Sequence, residues 1–436
     1  MGRAPLFVGQ AGAMVEYRNV WVLIVAIGVL QVSGGILGIV SPIGLQALGL
    51  PPFMIGLIAA LHATGFMFGA LSAPRIIARV GNIRVFSAGA AIGAASSLVM
   101  GLALDGVAWA CVRLIQGAAF AWMFASAESW MSVATPAQAR GRVLGLYHVI
   151  AKLALAAGPF LVVGYAPLQA QLFIWIALFF ALAMVPVCLT ERIEPQRYDS
   201  DALPLREFVR LAPAALAGAF LAGMINTGAL ALLPVFAEQV ELGASANGAA
   251  ALAMAAAWGG GLISQWPAGR LSDRIDRRLV VAGMGLGSLL ACLGLVVGAT
   301  ALPGWTILAL LAIWGAGSLS FYGIAVAHGV DRAEPQQVSG LMASLLCAWA
   351  MGSVIGPPLA GFAVSTPHGP GGLFAFAGVL TSFLVGAMLW RREAREEVPE
   401  EDRANWEMTR PTSLTGQDID PRSEYQVDDP EAASFR

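Results

Sequence analysis

The sequence predicts an all-α integral membrane protein with twelve transmembrane helices in two six-helix pseudo-repeats. The first observation is compositional: of 436 residues, 58% are hydrophobic and only 12% charged, about half the roughly 25% charged content of soluble domains. The second is the grouping of apolar residues into twelve stretches between Asn19 and Trp390. Each is about 20 residues long, enough at 1.5 Å per residue to cross a hydrocarbon core of about 30 Å. The third is an internal echo. The charged stretch Gly269-Arg270-Leu271-Ser272-Asp273-Arg274-Ile275-Asp276-Arg277-Arg278 has a fainter copy two hundred positions earlier, Gly69-Ala70-Leu71-Ser72-Ala73-Pro74-Arg75, with Gly, Leu and Ser in register. Two such hairpins imply a duplicated chain.

Runs rich in Ala, Leu and Gly lack the period-2 alternation of a lipid-facing barrel, and a helix satisfies its own backbone groups where water cannot. Residues 1–18 form a short cytoplasmic lead with Arg3 and Arg18. The first bundle, residues 19–190, holds spans predicted at 20–41, 52–74, 84–104, 107–131, 143–165 and 168–190. The second, residues 211–391, holds spans at 211–236, 246–269, 279–299, 303–328, 338–364 and 371–391. Between them, residues 191–210 are polar, contain Pro195 and Pro204, and read as a cytoplasmic linker. The tail, residues 392–436, carries thirteen acidic and six basic residues. Such a segment cannot bury enough apolar surface to fold alone, so a disordered cytoplasmic tail is expected.

Orientation follows from the arginines. The connections after the even-numbered spans hold Arg75, Arg79, Arg84, Arg140, Arg142, Arg192, Arg197, Arg206, Arg210, Arg270, Arg274, Arg277, Arg278 and Arg332, whereas those after the odd-numbered spans hold no Lys or Arg. By the positive-inside rule both termini are expected in the cytoplasm.

Charge at membrane depth is scarce. Arg113 and Lys152 are the basic residues left inside the spans, and Lys152 is the only lysine in the chain. A charge there costs at least ~2.5 kcal/mol on insertion scales, so each must face a partner or a water-filled cavity. Cys111, Cys188, Cys292 and Cys347 fall inside spans with no C-x-x-C spacing and read as small buried hydrophobes. The sequence has no G-x-x-x-x-G-K-[ST] loop, no His/Cys metal spacing and no loop longer than about 20 residues. An ATP-driven machine, an enzyme, a cofactor and a nucleic-acid partner are accordingly not expected.

Several of these stretches resemble the major facilitator superfamily of secondary transporters, over about residues 19–391. Gly269 to Arg278 is similar to its loop signature G-x-L-x-D-R-x-x-R-R. Arg113-Leu114-Ile115-Gln116-Gly117 resembles the R-x-x-Q-G signature of span 4, and Gly158-Pro159 and Gly356-Pro357 resemble the Gly-Pro elements of spans 5 and 11. A finer resemblance, to the YcaD-like branch, rests on Ala73-Pro74-Arg75, Arg79-Val80-Gly81-Asn82-Ile83-Arg84-Val85-Phe86, Glu128-Ser129-Trp130 and Gln265-Trp266-Pro267-Ala268-Gly269. The resemblance implies a monomer in the bacterial inner membrane that moves a small organic solute by alternating access, coupled to protons. An uncoupled facilitator, a carrier of lipids or amphiphiles, and a non-transporting receptor or scaffold are the alternatives. One departure stands out: Ala73 replaces the aspartate that the superfamily usually keeps in the first half, and Asp273 carries it in the second. The gating group is expected to comprise Gly69, Arg75, Gly269, Asp273, Arg274, Arg277 and Arg278. Asp273 is expected to cap a helix N-terminus and pair with nearby arginines, locking one access state.

The resemblance further implies a mid-plane cavity lined by spans 1, 4, 7 and 10. Their polar residues are the substrate candidates: Gln31, Ser33, Arg113, Gln116, Asn226, Thr227, Ser320 and Tyr322. Glu128, His148, Lys152, His62 and His328 are the candidates for proton coupling or charge relay. Arg113 and Glu128 lie ~22 Å apart along one helix and cannot pair. His148 and Lys152 share a face of span 5 that runs past Glu128, so a Glu128–Lys152 ion pair fits on depth; a static packing contact competes with a coupling role. Arg113 either holds an anionic substrate group or bonds to neighbouring carbonyls. His62 reads first as a packing histidine, and His328 falls two hundred positions after Glu128 in the repeat. Gly145, Gly158, Gly352, Gly356 and Gly361 are expected to permit close helix approach and local bending.

Overall fold

The computed structural model of the chain describes residues 7–135, 137–190, 211–240, 242–334, 337–366 and 369–394, with Arg403 and Trp406 of the tail. The linker 191–210 and the rest of the tail lie outside the described residues. The first half contains α1 (Phe7–Ala47), α2 (Pro52–Val80), α3 (Asn82–Leu102), α4 (Gly106–Ala134), α5 (Ala137–Ala157) and α6 (Ala170–Cys188). The second contains α7 (Pro213–Gln239), α8 (Ala246–Arg274), α9 (Arg277–Gly298), α10 (Gly304–Ser318), α11 (Phe321–Val330), α12 (Val338–Val364) and α13 (Gly372–Ala394). Among the described residues, twelve spans are long and apolar enough to cross a bilayer, with α10 and α11 together forming the tenth.

The charged stretches depart from their predicted hairpin form. Helix α2 runs through Ala73-Pro74-Arg75 to Val80, and α8 runs through Asp273 to Arg274. Only Ile275 and Asp276 separate α8 from α9. Arginines in the last turn suit the negative end of the helix dipole, so the helices continue past the apolar run. The tenth span breaks at Leu319 and Ser320. There the Ser320 hydroxyl donates to the Gly261 carbonyl at 2.7 Å and lies 2.8 Å from the Ser264 hydroxyl, while Ser264 also bonds the Ala316 carbonyl at 2.8 Å. Neighbouring hydroxyls thus help to satisfy the interrupted ladder, as membrane helices require. The fifth span tightens into a 3-10 turn over Gly158–Val162, where Pro159 removes a backbone donor.

The duplication is visible in packing. Ser72 donates to the Gly69 carbonyl at 3.0 Å, and Ser272 donates to the Gly269 carbonyl at 2.7 Å. In the first half Gly65 on α2 faces the backbone of Leu114 and Gly117 on α4 faces that of His62; in the second, Gly260 on α8 faces Ala312 and Gly315 on α10 faces Ala257. Each pair of helices therefore meets backbone to backbone. In lipid, where no hydrophobic force drives helices together, close approach of small residues supplies the van der Waals contact that holds them.

Inside each half the core is aromatic and aliphatic: Trp109 meets Phe173 edge-on at 5.6 Å, and Trp314 meets Phe374 at 5.8 Å. Leu71, Val107, Ile263, Val297 and Trp305 are exposed on the outside, as lipid-facing residues are. Three of the cysteines correct the expectation of burial. Cys111, Cys188 and Cys347 are exposed, and only Cys292 is buried; an apolar solvent accepts a thiol on the outer face as readily as a core does.

Candidate functional site

A cavity of about 400 Å³ lies between the two halves. Gln31 on α1, His62 on α2, Arg113 on α4 and Lys152 on α5 face it from the first half. Asn226 and Thr227 on α7, Trp258 and Gln265 on α8, Tyr322 on α11 and Ser353 on α12 face it from the second. Among the described residues that line it, none is an aspartate or glutamate.

Arg113 is propped from behind. Its Nη1 donates to Gln116 Oε1 at 3.2 Å, and the fully buried Gln116 in turn donates from Nε2 to Ser97 Oγ at 3.2 Å. Arg113 Nε has no hydrogen-bond partner, and neither have Asn226 Oδ1 and Trp258 Nε1. Three buried polar atoms without partners, one on the first half and two on the second, are unusual in a protein interior. Lys152 donates to Gln265 Oε1 on the opposite half. His62 holds its ring edge-on to Phe120 at 5.8 Å and its Nδ1 3.3 Å from the Arg113 carbonyl.

The remaining candidates lie elsewhere. Ser33 turns back to the Leu30 carbonyl at 2.6 Å, Gln116 supports Arg113, and Ser320 belongs to the helix break. Glu128 is buried beyond the cavity on α4, where the Tyr147 hydroxyl donates to its Oε1 at 3.2 Å. His148 is buried beside Tyr147, ring centroids 4.9 Å apart. Among the described bonds, one runs from Tyr147 to Glu128 and another from Lys152 to Gln265. His328 sits at the end of α11 among the charges of Arg332, Arg278, Asp276 and Arg277, away from the cavity lining.

The halves meet at the side where α2 begins and α12 ends. A side chain on Gly56 would strike the carbonyl carbon and oxygen of Pro357, and one on Gly361 would come within 2.8 Å of Phe53 Cα. Asn247 Nδ2 donates to the carbonyls of Tyr165 at 2.7 Å and Val162 at 3.3 Å, and Ser245 Oγ donates to the Val163 carbonyl at 2.9 Å. Gly352 and Gly356 pack on α7 backbone and Gly158 on Val32 of α1, whereas Gly145 faces open space. Four of the five glycines expected to mediate close approach do so.

At the other side the second charged stretch forms a compact cluster. Arg277 makes a bidentate pair with Asp331, Nε to Oδ2 at 2.7 Å and Nη2 to Oδ1 at 3.2 Å, and its Nη1 reaches Ser272 Oγ at 3.1 Å and Asp273 Oδ1 at 3.2 Å. Asp273 is not a cap, because it lies inside the last turn of α8. The N-cap of α9 is Asp276, whose Oδ1 accepts from the Arg278 backbone N–H at 2.9 Å. Burial pushes the Asp276 carboxyl up, but hydrogen bonds from the Arg278 side chain and backbone outweigh it and hold the group below its usual range. These bonds tie α8, α9 and α11 to one another. Arg75 and Arg274 are exposed, and Gly69 packs on Ala118 of α4.

The tail returns to this cluster. The Trp406 backbone N–H donates to Asp273 Oδ1 at 3.0 Å, and its ring lies where a Gly269 side chain would stand. Gly269→Leu is therefore expected to expel Trp406 and to raise the rate of trypsin cleavage within the tail severalfold. An unchanged digestion pattern would show that the ring does not hold the tail.

The Major Facilitator Superfamily profile matches residues 22–328 and 239–421. The chain belongs to the major facilitator superfamily. It is similar to transporters of the YcaD-like branch: it is 25% identical over 342 residues to an uncharacterised MFS-type transporter of Enterobacter sp. (strain 638), covering 78% of this chain and 87% of that one. It is 24% identical over 345 residues to the uncharacterised MFS-type transporter YcaD of Salmonella heidelberg (strain SL476), covering 79% and 88%. Among solved structures, a bacterial homologue of the human lysosomal transporter Spinster, in an inward-facing and unoccupied conformation, superposes with a TM-score of 0.69 at 15% identity, over 89% of this chain and 98% of that one. The nucleoside transporter NupG gives 0.71 at 14% identity over 85% and 98%. The E. coli fucose:proton symporter FucP gives 0.56 at 15% identity over 85% and 98%. The protein is thus a multi-pass bacterial membrane transporter of the superfamily, not an enzyme.

In this MFS transporter the cavity also draws on helices outside the four expected to line it. Trp258 and Gln265 come from α8, and Trp349 and Ser353 from α12. Gln265 belongs to the stretch Gln265-Trp266-Pro267-Ala268-Gly269 that carries the finer resemblance, but was not among the expected cavity residues. Nothing in the sequence separated Trp258 and Trp349 from lipid-facing tryptophans such as Trp266 and Trp305.

Proposed function

We propose that the protein moves a small organic solute across the bacterial inner membrane by alternating access, coupled to protons. The observation that carries this reading is the cavity itself: both halves line it, and on one side they meet at a backbone interface. Positive-inside charge assigns that sealed side to the periplasm, so the conformation described is read as the cytoplasm-facing one. Proton coupling is assigned to Glu128 with its neighbours Tyr147 and His148 and to Lys152, which spans the gap to Gln265. The occurrence of a proton symporter on the same fold supports the coupling.

A disulfide across the seal tests the movement without knowledge of the substrate. Ser245→Cys and Val163→Cys, in a background lacking the four native cysteines, join α8 to the end of the fifth span. Ala63→Cys on the cavity wall reports access to an impermeant thiol reagent. Periplasmic labelling of Ala63→Cys is expected when the pair is reduced and is expected to be lost when it is oxidised. Labelling from the periplasm that persists through the cross-link would sink alternating access across this seal.

A further inference from the structure

We propose that the cavity selects organic anions that carry an apolar, aromatic body. The inference rests on the transport reading above for access to the site. Arg113 is a cation at membrane depth that no carboxylate of the described residues neutralises: its Nη1 is used on an amide, its Nε bonds to nothing, and none of the described residues around the cavity is acidic. Lys152, which donates to Gln265, lines the same cavity.

Within a membrane span a guanidinium must face a counter-ion or a water-filled cavity, and the planar donors of one that lines such a cavity suit a carboxylate, sulfonate or phosphate. The cavity walls include Phe66, Phe120, Phe124 and Trp349, faces on which an aromatic or aliphatic body packs. The volume of about 400 Å³ falls in the range of about 300–1,000 Å³ typical of small-molecule sites. Arg113 does not instead cap neighbouring carbonyls, because its described bond goes to Gln116, which is itself anchored to Ser97.

The test uses Ala63→Cys in the cysteine-free background and two reagents of similar size, sulfonatoethyl and trimethylammonioethyl methanethiosulfonate, added from the cytoplasmic face. Rates are normalised to those with a free thiol in solution. The anionic reagent is expected to gain at least about tenfold over the cationic one, the population ratio given by 1.4 kcal/mol. Arg113→Gln is expected to return the ratio toward that of the free thiol, Arg113→Lys to keep most of it, and Lys152→Gln to lower it in part. Naphthalene-2-carboxylate is expected to protect the thiol, and naphthalene-2-methylammonium to leave it unprotected. Equal or faster labelling by the cationic reagent, an Arg113→Gln ratio equal to wild type, or protection by the ammonium compound alone would overturn the anion assignment while leaving the transport reading intact. If neither reagent reached Ala63→Cys from either face, both readings would fall.

Discussion

Replacing Gly56 with leucine is expected to drive the transporter out of the conformation described here. The new side chain would begin where the Pro357 carbonyl stands and 3.1 Å from Pro358 Cα. Those atoms are helix backbone, so they cannot swing aside as the end of a side chain can. Overpacking of this kind costs about 1–3 kcal/mol. Because the penalty falls only on the state in which α2 and α12 touch, it acts as a population shift of roughly five- to 150-fold toward the opposite access state. The measurement is periplasmic labelling of Ala63→Cys, which should rise at least about fivefold, and Gly361→Leu should reproduce it from the other helix. Gly145→Leu is the control, since its Cβ would meet nothing within 4 Å. A Gly56→Leu protein that labels like the parent would show that the contact reseals locally and does not set the access state.

Changing Glu128 to glutamine is expected to abolish accumulation driven by a pH gradient while leaving exchange of the cavity between the two faces. Glu128 is 2% exposed and is held by the Tyr147 hydroxyl. Tyr147 lies on α5, the helix from which Lys152 reaches across to Gln265. When the halves part, the Lys152 bond must break, and the electrostatics along α5 change with it. A carboxylate in a low-dielectric site responds to such a change by taking up or releasing a proton. Glutamine keeps the shape and the acceptor but cannot titrate. Labelling of Ala63→Cys, followed across the neutral pH range, should lose its pH dependence in the variant. A pH response equal to that of the parent would return Glu128 to a packing role and move the coupling to His148 or Lys152.

What could be read in advance follows from what lipid does to a sequence. Twelve spans stand out because hydrocarbon demands unbroken apolar runs, and the one-sided arginines register the halves against each other. The ends of α2 and α8 did not stand out, because a helix that continues into water, as through Pro74-Arg75 and Asp273-Arg274, no longer carries the apolar signal. The break at Leu319 and Ser320 is held by hydroxyls and carbonyls on α8 and α10, so its cause lies some sixty positions away in the chain. Polar residues in spans were found readily, but their direction was not. Gln31, Arg113, Asn226, Thr227 and Tyr322 face the cavity, while Ser33, Gln116 and Ser320 turn to neighbouring helices. An almost wholly apolar helix has no polar stripe to fix its rotation. The docking of Trp406 on Gly269 and the pairing of Arg277 with Asp331 join distant segments through single contacts, which composition does not record.

The seal between Gly56 and Pro357, and between Gly361 and Pro52 with Phe53, brings glycine against main chain in both directions. An ordered long side chain loses up to about 2 kcal/mol of rotamer freedom, and glycine has none to lose. Closing this face therefore orders almost nothing at those contacts, and opening it releases almost nothing. The entropy that biases the cycle must arise elsewhere, in the solute, the lipid and the water that fills the cavity. A face of this kind adds no side-chain entropy bias of its own, so whatever enters the cavity has a correspondingly large share of the entropy that decides which side is open.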